Sequence, residues 1–323
     1  MSNLVSVIIA TYNSAPFVIE TLESVKNQSW KELELIITDD FSTDNTIDLC
    51  EYWLKENHKR FESSTVLRIE RNTGIAANAN RGLKVAHGDW IKFLGADDTL
   101  KPNCIAQNMD FIAQNPQIKI LFSKLEVYKD NFEPGNLLET TPGMPYEKNS
   151  ILFPGRSADS QYRMLLISDR IHFSPSVFLH RETIFSVGCF DERFRIVEDY
   201  PLWLNLTKKG NKLYFMDKVT VNYRKHIKAA NNTGLKFIIN PNYFKLESFR
   251  KVYTYPFLPS SVKYHQKLNW YLSQIFKYPA INRDTKLNRL LYSLLTIYLN
   301  PFRYYFWFKK RFSRDEAFTE LFT

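Results

Sequence analysis

Three cysteines in 323 residues, Cys50, Cys104 and Cys189, are too few and too scattered for a disulfide framework. Neither a CxxC pair nor a Cys/His cluster is present, so the expectation is three reduced thiols in a reducing compartment. No stretch reaches the roughly 18 charge-free apolar residues that a spanning helix needs. The short apolar run at 5–10 has no basic segment before it and no cleavage site after it, so a signal peptide is not expected. The chain contains no internal repeat, no low-complexity tract and no RNA- or DNA-binding motif, and nucleic acid is not an expected partner. The protein is therefore expected in the cytoplasm unless its surface holds it at a membrane.

What is present is unevenly spread. Apolar residues make up 44% of the chain, enough for a full core without cross-links. Residues 240–323 hold 14 of the 43 basic residues but only 5 of the 34 acidic ones, which accounts for the whole net charge of +9. They also carry 22 of the 49 aromatics. This shift in composition predicts a boundary near residue 240, with one domain over 1–239 and a basic, aromatic helical region over 240–323.

Along 1–239, apolar strand patterns alternate with helical ones. Strands are expected at 5–10, 33–38, 66–71, 90–94 and 118–123, then near 176–180, 212–216 and 219–223. Helices are expected over 15–28, from a Ser42 or Thr43 cap to about 57, over 74–86 and 102–115, around 157–168, at 181–187 and over 198–209. Such alternation predicts a mostly parallel α/β sheet flanked by helices, with a C-terminal helical extension. Residues 129–156, rich in Pro and Gly, break the rhythm and read as an active-site flap or a plain surface loop.

Four segments place polar groups where apolar runs end: SVIIATYN at 6–13, IITDDFSTDNT at 36–46, WIKFLGADD at 90–98 and VEDYPLW at 197–203. In an open α/β sheet the carboxyl ends of the strands form the ligand-binding rim, so the four endings predict one crevice. Asp97-Asp98 suits a hard divalent cation that keeps water and phosphate oxygens as further ligands, though acidic turns are common. Asp39 offers an acceptor to a heterocycle N–H, while Asp40 or Ser42 alternatively caps a helix. Glu198-Asp199 is either a dipole-favoured helix start or a general base toward an alcohol. Taken together, the three pairs suit group transfer from a nucleotide diphosphate.

These motifs resemble glycosyltransferase family 2, inverting nucleotide-sugar transferases of GT-A (Rossmann-like) fold, over roughly residues 4–226. SVIIATYN looks like that family's first-strand signature and TDDFSTDNT like its second. NTGIAANANRGLKVAHGDWIKFLGADD at 72–98 covers its Gly-loop, helix and metal motif, and VGCFDERFRIVEDYPLWLNLTKKG at 187–210 its catalytic acid segment. The resemblance implies that Ala10, Thr11, Tyr12 and Asn13 line the nucleobase, with Tyr12 stacking. It implies that Asp39 binds the base N–H, favouring uracil, that Asn80 and Arg81 face the nucleotide-sugar, and that Asp97 contacts ribose or metal. Asp98 would ligate Mn²⁺ or Mg²⁺, with His226 of YRKH in a basic or metal-binding position; Asp199 would be the general base, supported by Glu198.

Three departures stand out. Gly95 replaces a frequent Asp, Phe41 replaces a usual Gly and needs a different local turn, and the Arg-Asn pair becomes Asn80-Arg81, rotating the Arg by about 100° around a helix. A nucleotidyltransferase would carry a Gly-rich, basic loop after the first strand, which ATYNSAPF lacks. A non-catalytic nucleotide-sugar-binding or scaffold protein at the membrane is the other alternative.

In the C-terminal region Leu287, Leu290, Leu291, Leu294, Leu295, Ile297 and Tyr298 form a broad apolar helical face, followed by the aromatic and basic run 302–312. This composition suits a bilayer interface and predicts a peripheral protein on the inner face of the cell membrane. Members of the resembled family often extend polyprenyl-linked glycans for lipopolysaccharide O-antigen, capsule or exopolysaccharide. The expected partners are accordingly a nucleotide-sugar donor, a glycan or polyprenyl-linked acceptor, and the membrane surface through 240–323.

Overall fold

The computed structural model describes residues 3–195, 197–226 and 237–312. The chain divides into two compact units, Met1–Tyr162 with Ile171–His226, and Arg163–Arg170 with Ile227–Thr323.

The first unit begins with four parallel strands, β1 (Val5–Thr11), β2 (Leu33–Asp39), β3 (Ser63–Leu67) and β4 (Trp90–Gly95), lying side by side in the order β3-β2-β1-β4. β1 and β2 are buried along almost their whole length, as the largely apolar strands of a parallel sheet require. Helices α1 (Val18–Lys26), α2 (Thr46–Asn57) and α3 (Ile75–Val85) return the chain between these strands. Ala10 pairs with Thr38 on one side and Gly95 on the other, so the loops leaving β1, β2 and β4 share one rim.

Beyond β4 the chain adds β5 (Thr99–Leu100), α4 (Cys104–Gln114), β6 (Ile120–Lys129), β7 (Leu137–Thr141), α5 (Ala158–Ile167), β8 (Phe178–His180), α6 (Arg181–Ser186), α7 (Asp199–Lys208) and β9 (Tyr214–Lys225). The full strand order is β3-β2-β1-β4-β8-β6-β9-β5, with β7 on β6. β8 runs antiparallel to both β4 and β6, whereas β9 is parallel to β6. The expected α/β sheet with a parallel core is formed, and its second half is mixed.

Four local expectations are corrected. β3 covers 63–67 rather than 66–71, because Ser63 pairs with Glu34 and donates its hydroxyl to that buried carboxylate at 3.0 Å. Residues 212–216 and 219–223 are not two strands. They join in β9, whose register shifts against Ser123–Leu125 absorb Asp217 and Lys218. The irregular 129–156 stretch contains β7. Finally, α2 starts at Thr46: Asp44 accepts the Thr46 N–H at 3.0 Å, while Ser42 is turned toward Asp39.

The second unit is helical: α8 (Glu247–Tyr253), α9 (Ser260–Ser273), α10 (Pro279–Asn282), α11 (Lys286–Ser293), a π-helical turn over Leu294–Tyr298, and α12 (Pro301–Phe312). Phe249, Val262, Phe276 and Phe306 are buried within it. α12 is fastened to α9 by the Asn300–Asn269 hydrogen bond (2.7 Å) and by Phe306 edge-on to His265 (5.3 Å). No helix among the described residues is long and apolar enough to cross a membrane.

Candidate active site

The loops leaving β1 and β2 are bonded into one strip. Asn13 donates its N–H to Ser42 Oγ (2.8 Å), and its Oδ1 accepts the Thr43 N–H (2.8 Å). Asp39 is buried and accepts from the Thr11 hydroxyl (2.7 Å), the Ser42 N–H (2.8 Å) and the Ser42 hydroxyl (2.5 Å). Tyr12 and Phe41 remain 51% and 44% exposed, two rings standing on the rim. Phe41 takes φ 70°, the left-handed conformation that suits glycine. That conformation costs a non-glycine residue about 1–2 kcal/mol of strain.

Asp40 faces inward. Its oxygens accept the Thr73 N–H (3.0 Å) and hydroxyl (2.8 Å), the Gly74 N–H (2.6 Å) and Arg81 Nη2 (3.0 Å). Burial alone would raise its pKa; these donors outweigh burial and lower it. Arg81, expected at the nucleotide, also donates to Thr73 Oγ1 and Asn78 Oδ1, each at 2.7 Å, so its guanidinium is engaged within the framework. Asn80 is likewise inward: it donates to Phe190 O (2.9 Å) and Glu192 Oε1 (2.8 Å) and accepts the Phe190 N–H (3.0 Å). It ties α3 to the loop that leads into Glu198 and Asp199.

Asp97 and Asp98 follow β4. Asp98 is buried, with its Oδ1 accepting the Arg224 N–H (2.9 Å) and no bond to its Oδ2 among the described residues. Burial, then the neighbouring Asp97 charge, push its pKa well above the ordinary range, against the pull of Arg224. Asp97 is less buried, and its Oδ2 lies 3.0 Å from His226 Nε2. A Cβ at Gly95 would fall 2.8 Å from Asp97 Oδ1, so the space of the frequent family Asp is taken by the Asp97 carboxylate.

Arg224 organises this corner. Its Nε donates to Asp97 O (2.8 Å), its Nη1 to Asp130 O (2.6 Å) and its Nη2 to Glu20, while the rings of Phe17 (4.8 Å) and Phe132 (4.1 Å) flank the guanidinium. Among the described residues no group of three or more His, Cys, Asp or Glu is arranged to hold a metal ion. Two adjacent carboxylates, one with an oxygen left over, still fit a cation whose remaining ligands are substrate phosphates and water.

Glu198 and Asp199 begin α7 as expected. Ser174 donates to Asp199 Oδ2; burial raises the Asp199 pKa and the Ser174 bond opposes it. The turn holding Ser174 is fixed from below by Lys92, fully buried on β4, whose Nζ donates to Pro175 O (2.7 Å) and Val177 O (3.3 Å). Tyr223 joins the motifs: burial, then the charges of Asp98, Asp97 and Glu198, push its hydroxyl up to about 12.

Arg224, Lys92, Asn78 and Tyr223 were not expected at the site. A lysine inside the apolar run WIKFL and an arginine beside the strand-ending His226 were the available signals.

A Rossmann-like parallel core with carboxylates at its strand ends is the architecture of the GT-A glycosyltransferases. The chain belongs to glycosyl transferase family 2, whose family model matches residues 6–172. Over 241 residues it is 29% identical to the UDP-Glc:alpha-D-GlcNAc-diphosphoundecaprenol beta-1,3-glucosyltransferase WfaP of Escherichia coli, covering 73% of this chain and 83% of the relative. It is 29% identical over 221 residues to the putative teichuronic acid biosynthesis glycosyltransferase TuaG of Bacillus subtilis, covering 68% and 79%. S. aureus TarS 1–349 in complex with UDP-GlcNAc superposes with a TM-score of 0.58 at 17% identity, over 90% of this chain and 78% of that one. The mannosyltransferase PcManGT from Pyrobaculum calidifontis, in complex with GDP-Man and Mn²⁺, does so at 0.51 and 16%, over 98% and 78%.

Proposed function

We propose that the enzyme transfers a sugar from a UDP-sugar to a hydroxyl of a polyprenyl-linked glycan, with inversion, during surface-polysaccharide assembly. The observation that supports this reading is the shared rim: β1, β2 and β4 pair side by side, so Thr11, Asp39 and the Asp97-Asp98 pair stand at the ends of neighbouring strands, with Asp199 beginning α7. The donor and acceptor classes follow those named for the Escherichia coli relative.

In this reading Tyr12 stacks on the base and Asp39, oriented by Thr11 and Ser42, accepts its N–H. Ala10 and Asn13 shape the floor and rim of the same strip. Asp97 and Asp98 would hold Mn²⁺ or Mg²⁺, with His226 beside them, and the cation would supply positive charge to the leaving diphosphate. Asp199 takes the acceptor hydroxyl proton, and the freed oxygen bonds to the anomeric carbon from the face opposite the diphosphate. The anomeric C–O bond to the diphosphate breaks, and UDP departs carrying its electron pair. A carboxylate whose pKa burial raises is a better base than an exposed one. Asn80 and Arg81 act indirectly, by fixing the loops around the donor. The acceptor is met at the inner face of the membrane, where residues 240–323 hold the enzyme.

Asp199→Asn tests the assignment. It should bind UDP-sugar as the parent does while lowering kcat for transfer by at least about 10²-fold. Transfer at the parental rate would remove Asp199 from the mechanism. Hydrolysis of a nucleotide-sugar panel with Mn²⁺ identifies the donor, and preference for a non-uridine donor would overturn the role given to Asp39.

A further inference from the structure

We propose that α11, the π-helical turn and α12 form the surface that lies in an anionic bilayer interface. The inference rests on the reading that the acceptor is met at a membrane, and it assigns the contact to named side chains. Leu287, Leu290, Leu294 and Tyr298 recur at the spacing of one helical face and are 74%, 64%, 46% and 60% exposed. α11 buries none of its residues. On α12, Phe306 is 6% exposed, while Trp307, Phe308 and Phe312 are each at least 60% exposed. An aqueous surface gains nothing from displaying seven large apolar side chains along two consecutive helices; a membrane interface does.

The charge chooses among occupants. Residues 240–323 carry the whole net +9, with Lys286, Arg289, Arg303 and Arg311 on these two helices. Two copies meeting through this face would bring like charges together, whereas anionic headgroups attract them. Trp, Tyr and Phe beside Lys and Arg is the composition that settles at headgroup depth. The depth is shallow, because each helix is too short to span: 8 residues in α11 and 12 in α12.

The test is flotation of the full-length protein with phosphatidylcholine vesicles, with and without phosphatidylglycerol, alongside Trp fluorescence. Binding is expected with the anionic vesicles, with a blue shift in emission, and weakened by salt. Leu287→Ser/Leu290→Ser/Leu294→Ser, and separately Trp307→Ser/Phe308→Ser, should each cut partitioning by about tenfold or more at unchanged far-UV circular dichroism. Undiminished flotation of both variants would overturn the helix assignment but leave the membrane reading standing through another segment. No flotation of the parent would overturn both. A parent that dimerises without lipid, and loses dimerisation in the variants, would make a second copy the occupant. Asp199→Asn should float like the parent, which keeps this result separate from catalysis.

Discussion

Asp39-Asp40 closes β2 and Asp97-Asp98 follows β4, on either side of β1. Each pair is two carboxylates in a row after an apolar strand. In the first pair both acids are well supplied with donors: Asp39 by Thr11 and Ser42, Asp40 by Thr73, Gly74 and Arg81. Asp40 is thereby held as an anion with its pKa lowered. In the second pair Asp98 is equally buried but meets one backbone N–H and another carboxylate, and its pKa rises. The same dipeptide is rich in hydrogen-bond donors in one place and short of them in the other. What separates them is the supply of donors nearby, which comes from residues distant in sequence.

Substitutions at the two sites should differ in kind. The largest effect belongs to Asp98→Asn, which should lower kcat by about 10²–10³-fold and abolish saturable Mn²⁺ binding in titration. Yet thermal unfolding of the metal-free protein should stay level or rise, since a poorly compensated buried charge is removed. Asp40→Asn should do the reverse. It removes the carboxylate that balances the Arg81 charge and sets a neutral amide against the Gly74 N–H, so a loss of about 3 kcal/mol in denaturant unfolding is expected. Equal stability of the parent and Asp40→Asn would break the comparison.

Acid sharpens it. The Asp40 pKa is lower in the folded than in the unfolded chain, where it is about 3.9. Its stabilisation is therefore complete above the unfolded value and fades as pH falls through the folded one. The gap in unfolding free energy between the parent and Asp40→Asn should accordingly narrow below about pH 4. The smallest effect belongs to Phe41→Gly, which relieves a left-handed φ of 70°. The gain of about 1 kcal/mol is offset by the added freedom of the unfolded glycine, leaving the melting temperature within a few degrees of the parent.

Much of the framework could be read directly. Largely apolar runs such as 33–38, broken only by Glu34 before its terminal Thr38, admit few structures besides buried strands, and polar residues at their ends located the rim. The alternation of strand and helix then implied a parallel core. Local patterning was silent on long-range closure. β3 slid toward 63–67 because Glu34 collects Ser63, and β9 swallowed Asp217 and Lys218 in its irregular register with β6. The roles of Lys92 and Arg224 depend on burial, and a lysine or arginine in a sequence reads as solvated by default. Arg81 and Asn80 stand where donor contact was expected, but their hydrogen bonds run to neighbouring loops.

Asn80 has a mechanical consequence. By donating to and accepting from the backbone of Phe190, its amide imitates one rung of a strand pairing between a helix and a loop. The segment approaching Asp199 is thereby moored during folding, so its ordering entropy is spent before any substrate arrives. In the proposed mechanism a base held this way works as part of a mould rather than as a gate.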